Sequence, residues 1–293
     1  MRFAFIDEHR RRWPILVQCQ VLEVSRAGYY KWRRMTQGPT STKRDAMLQA
    51  IRQIHREVSA DYGSPRVYRE LLDRGIRCSE NTVALWMKRY GIRARTKRRY
   101  RIVTTDSNHG HAVAPNLLEQ RFTAEKPNQV WLTDFSYIAT EEGFTYLCTV
   151  EDLCSRRIVG WATSRSIDTQ LALAALQQAL DLRQPGPGLI VHSDRGSQFA
   201  SLDFQQRLST YRCRPSMSRR GNCYDNAPME SFYRSFKVER VYWDQYATHD
   251  LATRAVVDYI DRFYNPIRRH SAIGYVSPLE YEKNRLFESK QIG

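Results

Sequence analysis

The chain has 293 residues, of which 42% are hydrophobic and 12% aromatic, and this composition excludes a disordered polypeptide. Its six cysteines include no CxxC pair and no histidine partners at zinc spacing, which argues against a zinc module. Residues 1–13 have charges within their short apolar run, and no segment approaches 18 uninterrupted apolar residues. We therefore expect no signal peptide, no contact with a membrane and a cytoplasmic location.

The net charge of +15 is unevenly distributed along the chain. Residues 1–100 contain 23 Lys and Arg against 9 Asp and Glu, whereas residues 101–293 contain 23 against 22. Clustered positive charge is typical of proteins that bind nucleic acid, because Lys and Arg displace the counterions of phosphates. The alternative interpretation is a solvated basic surface without a ligand.

The N-terminal third is predicted to contain two small helical DNA-binding units. In the first unit, residues 1–40, an apolar helix precedes a turn near Val24, and a second helix begins after Ser25, a suitable N-cap. In the second unit, residues 41–101, Ser79 can cap the second helix of another helix-turn-helix. The candidate DNA-binding residues of this unit are Asn81, Thr82, Lys88, Arg89, Arg95, Lys97, Arg98 and Arg99. An ordinary helical hairpin is the alternative.

Residues 102–122 are polar and without periodicity, which predicts a linker. Beyond the linker, three β-rich runs at 129–140, 144–153 and 157–164 predict an antiparallel meander, with a hairpin turn at "EEG". An amphipathic helix at 168–183 and the strand "LIVHSD" then predict a crossover and a mixed sheet. Further helices are predicted at about 199–210, 226–241 and 248–264.

Two acids occupy equivalent positions on predicted strands. Asp134 lies within the first strand, and Asp194 ends the strand that follows the crossover. If these strands are neighbours, the two carboxylates come close together and repel each other. A divalent cation such as Mg²⁺ would resolve this repulsion, since it binds carboxylates together with substrate phosphates. For either acid alone, the alternatives are a strand-end cap or a surface salt bridge.

A third acid lies on the predicted helix "NAPMESFYRSFKVERV". At 100° per residue, Glu230 shares a narrow arc with Asn226, Arg234 and Lys237. The apolar residues Met229, Phe232, Tyr233 and Phe236 occupy a different arc, which can pack on the sheet. The polar arc could then direct Glu230 toward a metal and its cationic neighbours toward phosphates. A plain Glu–Arg pair on the helix surface is the alternative.

These residues resemble those of a known family. Asp134, Asp194 and Glu230, with 35 residues between the last two, occur together with "HSDRGSQF", "NAPMESFYRSFKVE" and the tail "YNPIRRHSAIGYVSPLEYE". The N-terminal third adds "VSRAGYYKW" and "YGSPRVYREL". Over nearly its whole length, the chain resembles the second-reading-frame (OrfB) DDE transposases of the "IS three" bacterial insertion sequences, which are relatives of retroviral integrases.

The resemblance implies a fold and an architecture. The fold class is α/β, with an RNase H-like mixed five-stranded sheet, flanking helices and preceding all-α helix-turn-helix units. The catalytic core would span residues 123–245, and a C-terminal helical extension would span residues 246–293.

The resemblance also implies a function. A transposase would cleave the ends of an insertion sequence and join the 3′-hydroxyl to DNA. The three acids would hold two Mg²⁺ ions, with Mn²⁺ as a substitute, and the arrangement suits two-metal phosphoryl transfer. Lys237 would contact terminal DNA. The implied partners are inverted-repeat ends, target DNA, further copies of the chain on DNA near the bacterial nucleoid, and an optional upstream-frame OrfA product.

Two other functions are compatible with the same residues. The first is an RNase H-like or junction nuclease without strand transfer, because carboxylate chemistry alone does not identify the nucleophile. The second is a DNA-binding repressor with an inactive core. A further acid, Asp152, is expected either to support the site from behind or to form a strand-end salt bridge.

Overall fold

The computed structural model describes residues 1–37, 39–95, 112–220 and 222–291. The chain divides into two compact units, Met1–Arg95 and Thr96–Gly293. In the part of the chain that is described, no helix has the length and apolar character needed to cross a membrane.

The N-terminal unit is entirely α-helical, as predicted. Ser25 accepts a hydrogen bond from Gly28 N (3.0 Å), and Ser79 accepts one from Thr82 N (3.2 Å), so both predicted caps are present at the predicted helix starts. The helices are α1 (Arg2–Glu8), α2 (Ile15–Val21), α3 (Arg26–Gln37), α4 (Pro39–Glu57), α5 (Ser64–Asp73) and α6 (Glu80–Arg89).

Small apolar clusters hold this unit together. Ile6, Cys19 and Tyr29 form one cluster of α1–α3, in which the Tyr29 hydroxyl donates to Asp7 Oδ1 (2.9 Å). In α4–α6, the side chains that are fully buried come from all three helices: Ile51, Ile54, Val67, Leu71 and Val83. The helical periodicity of these apolar residues explains why the segments fold as helices.

The second unit is built on a mixed five-stranded sheet of order β3-β2-β1-β4-β5. The pairs β1–β2 and β2–β3 are antiparallel, whereas β1–β4 and β4–β5 are parallel. This is the predicted meander followed by a crossover, and it is the architecture expected of an RNase H-like fold. The strands are β1 (Val130–Thr140), β2 (Gly143–Asp152), β3 (Ile158–Ser164), β4 (Ile190–Ser193) and β5 (Arg214–Met217).

Helices cover both faces of the sheet. On one face, Trp131 and Val191 contribute to a core with apolar residues of α7 and α9. On the other face, Leu132 and Phe236 contribute to a core that also includes residues of α11. The helices are α7 (Thr169–Arg183), α8 (Ser197–Ala200), α9 (Leu202–Thr210), α10 (Ala227–Glu239), α11 (His249–Val257) and α12 (Pro278–Gln291), and a π-helical segment, Asp258–Tyr264, follows α11.

Three elements differ from the predictions made in chain order. The periodicity of the sequence did not indicate β5. The single helix expected at 199–210 is two helices, because the Ser201 side chain caps α9 by accepting from Phe204 N (3.3 Å). The helix expected at 248–264 changes to π-helical geometry at Asp258.

The C-terminal segment packs against the core rather than standing apart from it. Glu282 of α12 is buried and accepts hydrogen bonds from Ser155 (2.7 Å), Arg157 (2.8 Å) and Arg183. Residues on both sides of the predicted boundary at 245 therefore share one core.

Candidate active site

Asp134 and Asp194 follow the paired stretch of two neighbouring strands. The parallel pairing of β1 with β4 ends at Leu132 and His192, and each acid comes two residues later: Asp134 within β1, and Asp194 directly after the end of β4. Neighbouring strands are about 4.8 Å apart. The crossover strand thus returns beside β1, as predicted, and brings Asp194 close enough for its charge to act on Asp134.

The electrostatic environment of Asp134 includes the other predicted acids. Burial raises the pKa of Asp134 well above its ordinary value, and the negative charges of Asp194 and Glu230 raise it further. The backbone N–H of Phe135, which donates to Asp134 Oδ1 (2.8 Å), and the positive charge of Lys237 act in the opposite direction. The structure therefore brings three acids and one lysine together from β1, β4 and α10.

The chemistry of this donor set fits a divalent cation. Carboxylate oxygens are the ligands that Mg²⁺ prefers, and a bound cation would relieve the repulsion that favours protonation of Asp134. Among the described residues, no three His, Cys, Asp or Glu side chains form a ready-made metal site.

Helix α10 is docked on β1 by hydrogen bonds at Asp134 itself. The Tyr233 hydroxyl donates to Asp134 O (2.6 Å) and accepts from Thr149 Oγ1 (2.8 Å). Just before the helix, Asn226 Nδ2 donates to Thr133 O (3.3 Å). These bonds place the Glu230 turn of the helix next to the strand that holds Asp134.

The two arcs predicted for α10 are present. Met229, Phe232, Tyr233 and Phe236 are at most 6% exposed and face the sheet. Glu230 and Arg234 are exposed, as expected for side chains that meet a ligand from solvent.

Lys237 and Asn226 are more enclosed than the other residues of their arc. The Lys237 Nζ lies 4.3 Å from the centroid of the Tyr137 ring, and burial lowers its pKa against the opposing effect of Asp134. Asn226 is only 5% exposed, and its Oδ1 has no hydrogen-bond partner. A DNA contact by Asn226 stays a prediction and would require the side chain to become accessible.

Gly196 allows the chain to turn closely around Asp194. Its backbone N–H donates to Asp194 Oδ1 (2.9 Å). A Cβ atom at this position would lie 3.0 Å from that oxygen and 3.0 Å from Gln198 Oε1. Glycine thus leaves room for the carboxylate at the end of β4.

The buried His192 and Asp225 were missed by sequence reasoning. His192 Nε2 lies 2.9 Å from Asp225 O, and its Nδ1 lies 2.8 Å from Ser216 Oγ. Because a carbonyl oxygen only accepts, Nε2 carries the proton and Nδ1 accepts from the serine. Burial lowers the pKa of His192 to about 4, so the ring is neutral near pH 7. An acid just before a helix resembles an ordinary cap in the sequence, and no local signal indicates this network.

Asp152 is not part of this cluster. It pairs with Trp131, whereas Asp134 pairs with Thr149, three positions along β2. Its carboxylate accepts hydrogen bonds from the backbone N–H groups of Asn128 (2.7 Å), Cys154 (3.0 Å) and Ser155 (3.1 Å). Asp152 therefore holds the turns near the start of β1, three residue positions along the strand from Asp134.

Four of the five DNA-binding candidates that are described in the N-terminal unit lie on α6. Its buried face carries Val83 and Met87. The candidates on its other faces are Asn81, Lys88 and Arg89, which are exposed, and Thr82, which is half-buried. Arg95 forms an ion pair with Asp61 (3.9 Å). Lys97, Arg98 and Arg99 lie outside the described residues.

Three family models match the chain. An HTH-like domain matches residues 42–100, and two integrase core domain models match residues 124–223 and 230–286. Together the integrase core matches include all three acids of the candidate site.

Full-length relatives resemble the chain in sequence. Transposase InsF for insertion sequence IS3A of Escherichia coli (strain K12) is 39% identical over 98% of this chain and 100% of its own length. An uncharacterized 31 kDa protein of insertion element IS600 from Shigella sonnei is 39% identical over 90% of this chain and 97% of its own length.

Among solved structures, the simian T-cell lymphotropic virus intasome in complex with PP2A regulatory subunit B56 gamma has a chain with a TM-score of 0.44 and 12% identity. The match covers 78% of this chain and 73% of that chain.

Proposed function

This chain belongs to the family of IS3 insertion-sequence transposases, and we propose that it cuts the ends of its element and joins their 3′-hydroxyls to target DNA at Asp134, Asp194 and Glu230. The observation that carries the proposal is the convergence of these three acids from β1, β4 and α10 around a carboxyl whose pKa is raised. As a member of this family the chain is a DNA transposase; the chemical steps and the residues that perform them are the proposal.

The three acids would hold two divalent cations, Mg²⁺ or Mn²⁺ as a substitute, which when bound would activate the attacking oxygen and stabilise the leaving one. The chain's own residues keep this donor set in place. The Tyr233 hydroxyl holds α10 against β1 by donating to the backbone oxygen of Asp134. The backbone N–H of Gly196 holds the Asp194 carboxylate by donating to its Oδ1. Lys237, whose positive charge lowers the pKa of the nearby Asp134, would bind a phosphate of the DNA end.

The N-terminal unit would supply most of the affinity for DNA. The exposed residues of α6 suit phosphates and base edges in the major groove. The predicted basic tract Lys97, Arg98 and Arg99 would add phosphate contacts. The proposed ligands are the terminal inverted repeats and the target DNA, bound by two or more copies of the chain, with an upstream-frame product as a further partner.

A strand-transfer assay tests the proposal. The full chain is incubated with labelled inverted-repeat DNA and Mg²⁺, and nicked and joined products are separated by electrophoresis. We expect joined products, because one site can use water for the first step and a 3′-hydroxyl for the second. Nicked products alone would support the alternative of a nuclease without strand transfer, and binding without any cleavage would support a repressor.

Two variants separate the proposed roles on α10. Glu230→Gln keeps the shape of the side chain but weakens a metal ligand, so both nicking and joining should fall at every DNA concentration. Lys237→Ala removes a phosphate contact, so joining should fall more than nicking and recover in part at high DNA concentration or low salt. Identical losses that do not depend on DNA concentration would contradict this division of roles.

A further inference from the structure

The connection between β5 and α10 is organised around one buried acid. The Asp225 side chain is fully buried, with 0% of the residue exposed. Its Oδ1 accepts from Gln120 Nε2 (3.0 Å) and Arg219 Nη2 (2.8 Å). Its Oδ2 accepts from Asn116 Nδ2 (3.0 Å), Arg219 N (2.8 Å) and Arg219 Nε (2.9 Å). Two segments distant in sequence, around residues 116–120 and 219, are thus joined at this carboxylate.

The same residue connects two of the proposed catalytic acids. Its backbone oxygen accepts from His192 Nε2 (2.9 Å), and His192 comes two residues before Asp194 on β4. Helix α10 begins two residues after Asp225, and Glu230 lies in its first turn. Asp225 is therefore bonded to β4, the strand that directly precedes Asp194, and lies two residues before the helix that carries Glu230.

The charge of Asp225 is neutralised locally, so it does not add to the repulsion among the catalytic acids. Hydrogen bonding to Arg219 is the largest cause that holds the pKa of Asp225 well below its usual range, and burial opposes it. Because both oxygens already accept two or three hydrogen bonds, the carboxylate has little capacity left for a metal. Its contribution to the site is consequently geometric.

We propose that Asp225 is a positioning residue that sets the separation between Asp194 and Glu230, and through it the affinity of the site for divalent cations. The inference rests on the proposed function of those two acids. Residues that orient metal ligands without touching the metal affect metal affinity in this way in other proteins. A carboxylate that only stabilises the fold would lower the melting temperature without changing metal affinity.

Asp152 offers a matched control for that distinction. It too is an aspartate with 0% exposure whose carboxylate accepts several N–H hydrogen bonds, but these come from turns near the start of β1 and not from the connection between β5 and α10. Its replacement by Asn removes an acceptor of several N–H hydrogen bonds, as at Asp225, and should lower stability while leaving the metal site undisturbed. The comparison of Asp225→Asn with Asp152→Asn therefore separates positioning from stability.

The experiment measures Mn²⁺ binding to the full chain without DNA, by electron paramagnetic resonance of the free ion, together with the melting temperature. For Asp225→Asn we expect Mn²⁺ affinity to fall by about 10- to 100-fold. The Mg²⁺ concentration for half-maximal nicking should rise in parallel, and DNA affinity should stay within about twofold, because phosphate contacts dominate it. For Asp152→Asn we expect wild-type Mn²⁺ affinity at a lowered melting temperature.

Wild-type Mn²⁺ affinity in Asp225→Asn would overturn the inference, as would an equal loss in Asp152→Asn. If Asp225→Asn does not fold, Arg219→Gln replaces it, since the Arg219 side chain is 56% exposed and its loss leaves Asp225 with three donors: the side-chain amides of Asn116 and Gln120 and the backbone N–H of residue 219. Weaker Mn²⁺ binding in that variant supports the inference, and wild-type binding overturns it. Asp134→Asn tests the premise separately: if it binds Mn²⁺ like the wild type, the proposed function fails, whatever Asp225 does.

Discussion

The two units of the chain place their charges in opposite ways. In Met1–Arg95, no Lys or Arg among the residues whose side chains are described is buried, and the buried acids are Asp7 and Asp61. In the second unit, a basic side chain is also drawn into the interior and paired there: Arg268, at 3% side-chain exposure, pairs with the buried Glu239 (2.6 Å).

This difference separates two uses of charge. A charge at the surface costs little free energy because it stays hydrated, and its field extends over a distance that suits non-specific attraction of DNA. Salt screens this attraction. Buried charge is costly unless it is paired, but it fixes geometry and shifts pKa values, which suits catalysis. We therefore expect substitutions in the second unit to affect chemistry and stability, and changes of ionic conditions to act mainly through the first.

The largest expected effect comes from single catalytic acids of the second unit. Asp134→Asn or Asp194→Asn removes a proposed metal ligand, and cleavage should fall on the order of 10⁴- to 10⁶-fold, as when a catalytic group is removed from other enzymes. Folding should be preserved, since an anion is taken from a repelling cluster. Cleavage assays with Mg²⁺, alongside circular dichroism and DNA binding, check this. Near-wild-type nicking in either variant would contradict the assignment of that aspartate as a metal ligand.

A somewhat smaller effect is expected from salt acting on the first unit. If the full chain makes 6–10 phosphate contacts, its DNA affinity should fall by about 10³- to 10⁵-fold between 50 and 200 mM salt. A chain that begins at Phe122 should bind DNA weakly and with a shallow salt dependence. Fluorescence anisotropy across a salt titration measures both, and equal affinities of the two proteins would contradict the comparison.

The buried pair Arg268–Glu239 should contribute to stability far more than an exposed pair. Arg268→Met leaves Glu239 buried at 7% exposure with its hydrogen bond from Tyr259 (2.7 Å), and we expect a loss of about 3–5 kcal/mol in the free energy of unfolding. Arg121 pairs with Glu119 (3.2 Å) at 81% and 68% side-chain exposure. Arg121→Ala should change stability by about 0.5 kcal/mol or less. Urea denaturation of both variants would refute the expectation if the losses were similar.

The second unit should also lose stability in mild acid through His192. Its pKa is lowered from 6.5 to about 4, so the unfolded chain takes up the proton first as the pH falls. The neutral His192 ring makes its full contribution to the free energy of unfolding above about pH 6.5. As the pH falls below 6.5 this contribution is lost, and the free energy of unfolding is about 2 kcal/mol lower at pH 5. Urea denaturation at pH 7 and pH 5 measures the loss. His192→Gln should remove this part of the pH dependence, and an unchanged pH dependence would show that other groups cause it.

The smallest expected effect is the loss of a helix cap, which should be equal in the two units. Ser79 accepts from Thr82 N (3.2 Å) in the first unit, and Thr248 accepts from Leu251 N (3.2 Å) in the second. Ser79→Ala and Thr248→Ala should each cost about 1 kcal/mol of stability. DNA affinity should fall only for Ser79→Ala, because α6 carries DNA-binding candidates. A loss of DNA affinity in Thr248→Ala would contradict the separation of the units.

Elements with strong local patterns were predictable from the sequence. The strands β1–β3 follow runs of β-branched and aromatic residues. Helix α7 begins within one residue of its predicted start, with Asp168 as the N-cap, whose side chain accepts from Leu171 N (2.9 Å). β5 was missed because "RPSM" contains a proline and no β-branched residue. It becomes a strand by pairing with β4 from Arg214 to Met217, a tertiary interaction.

For the candidate site, the sequence alone determined the segregation of basic charge, the acids at strand positions and the arcs of α10. Only the tertiary structure decided which acids meet. Asp134, Asp152 and Asp225 all lie in or beside predicted elements, yet Asp134 faces Asp194 and Glu230, whereas the other two hold turns and loops. The physical reason is that repulsion and desolvation depend on strand register and on contacts between residues far apart in the chain, which local periodicity does not encode.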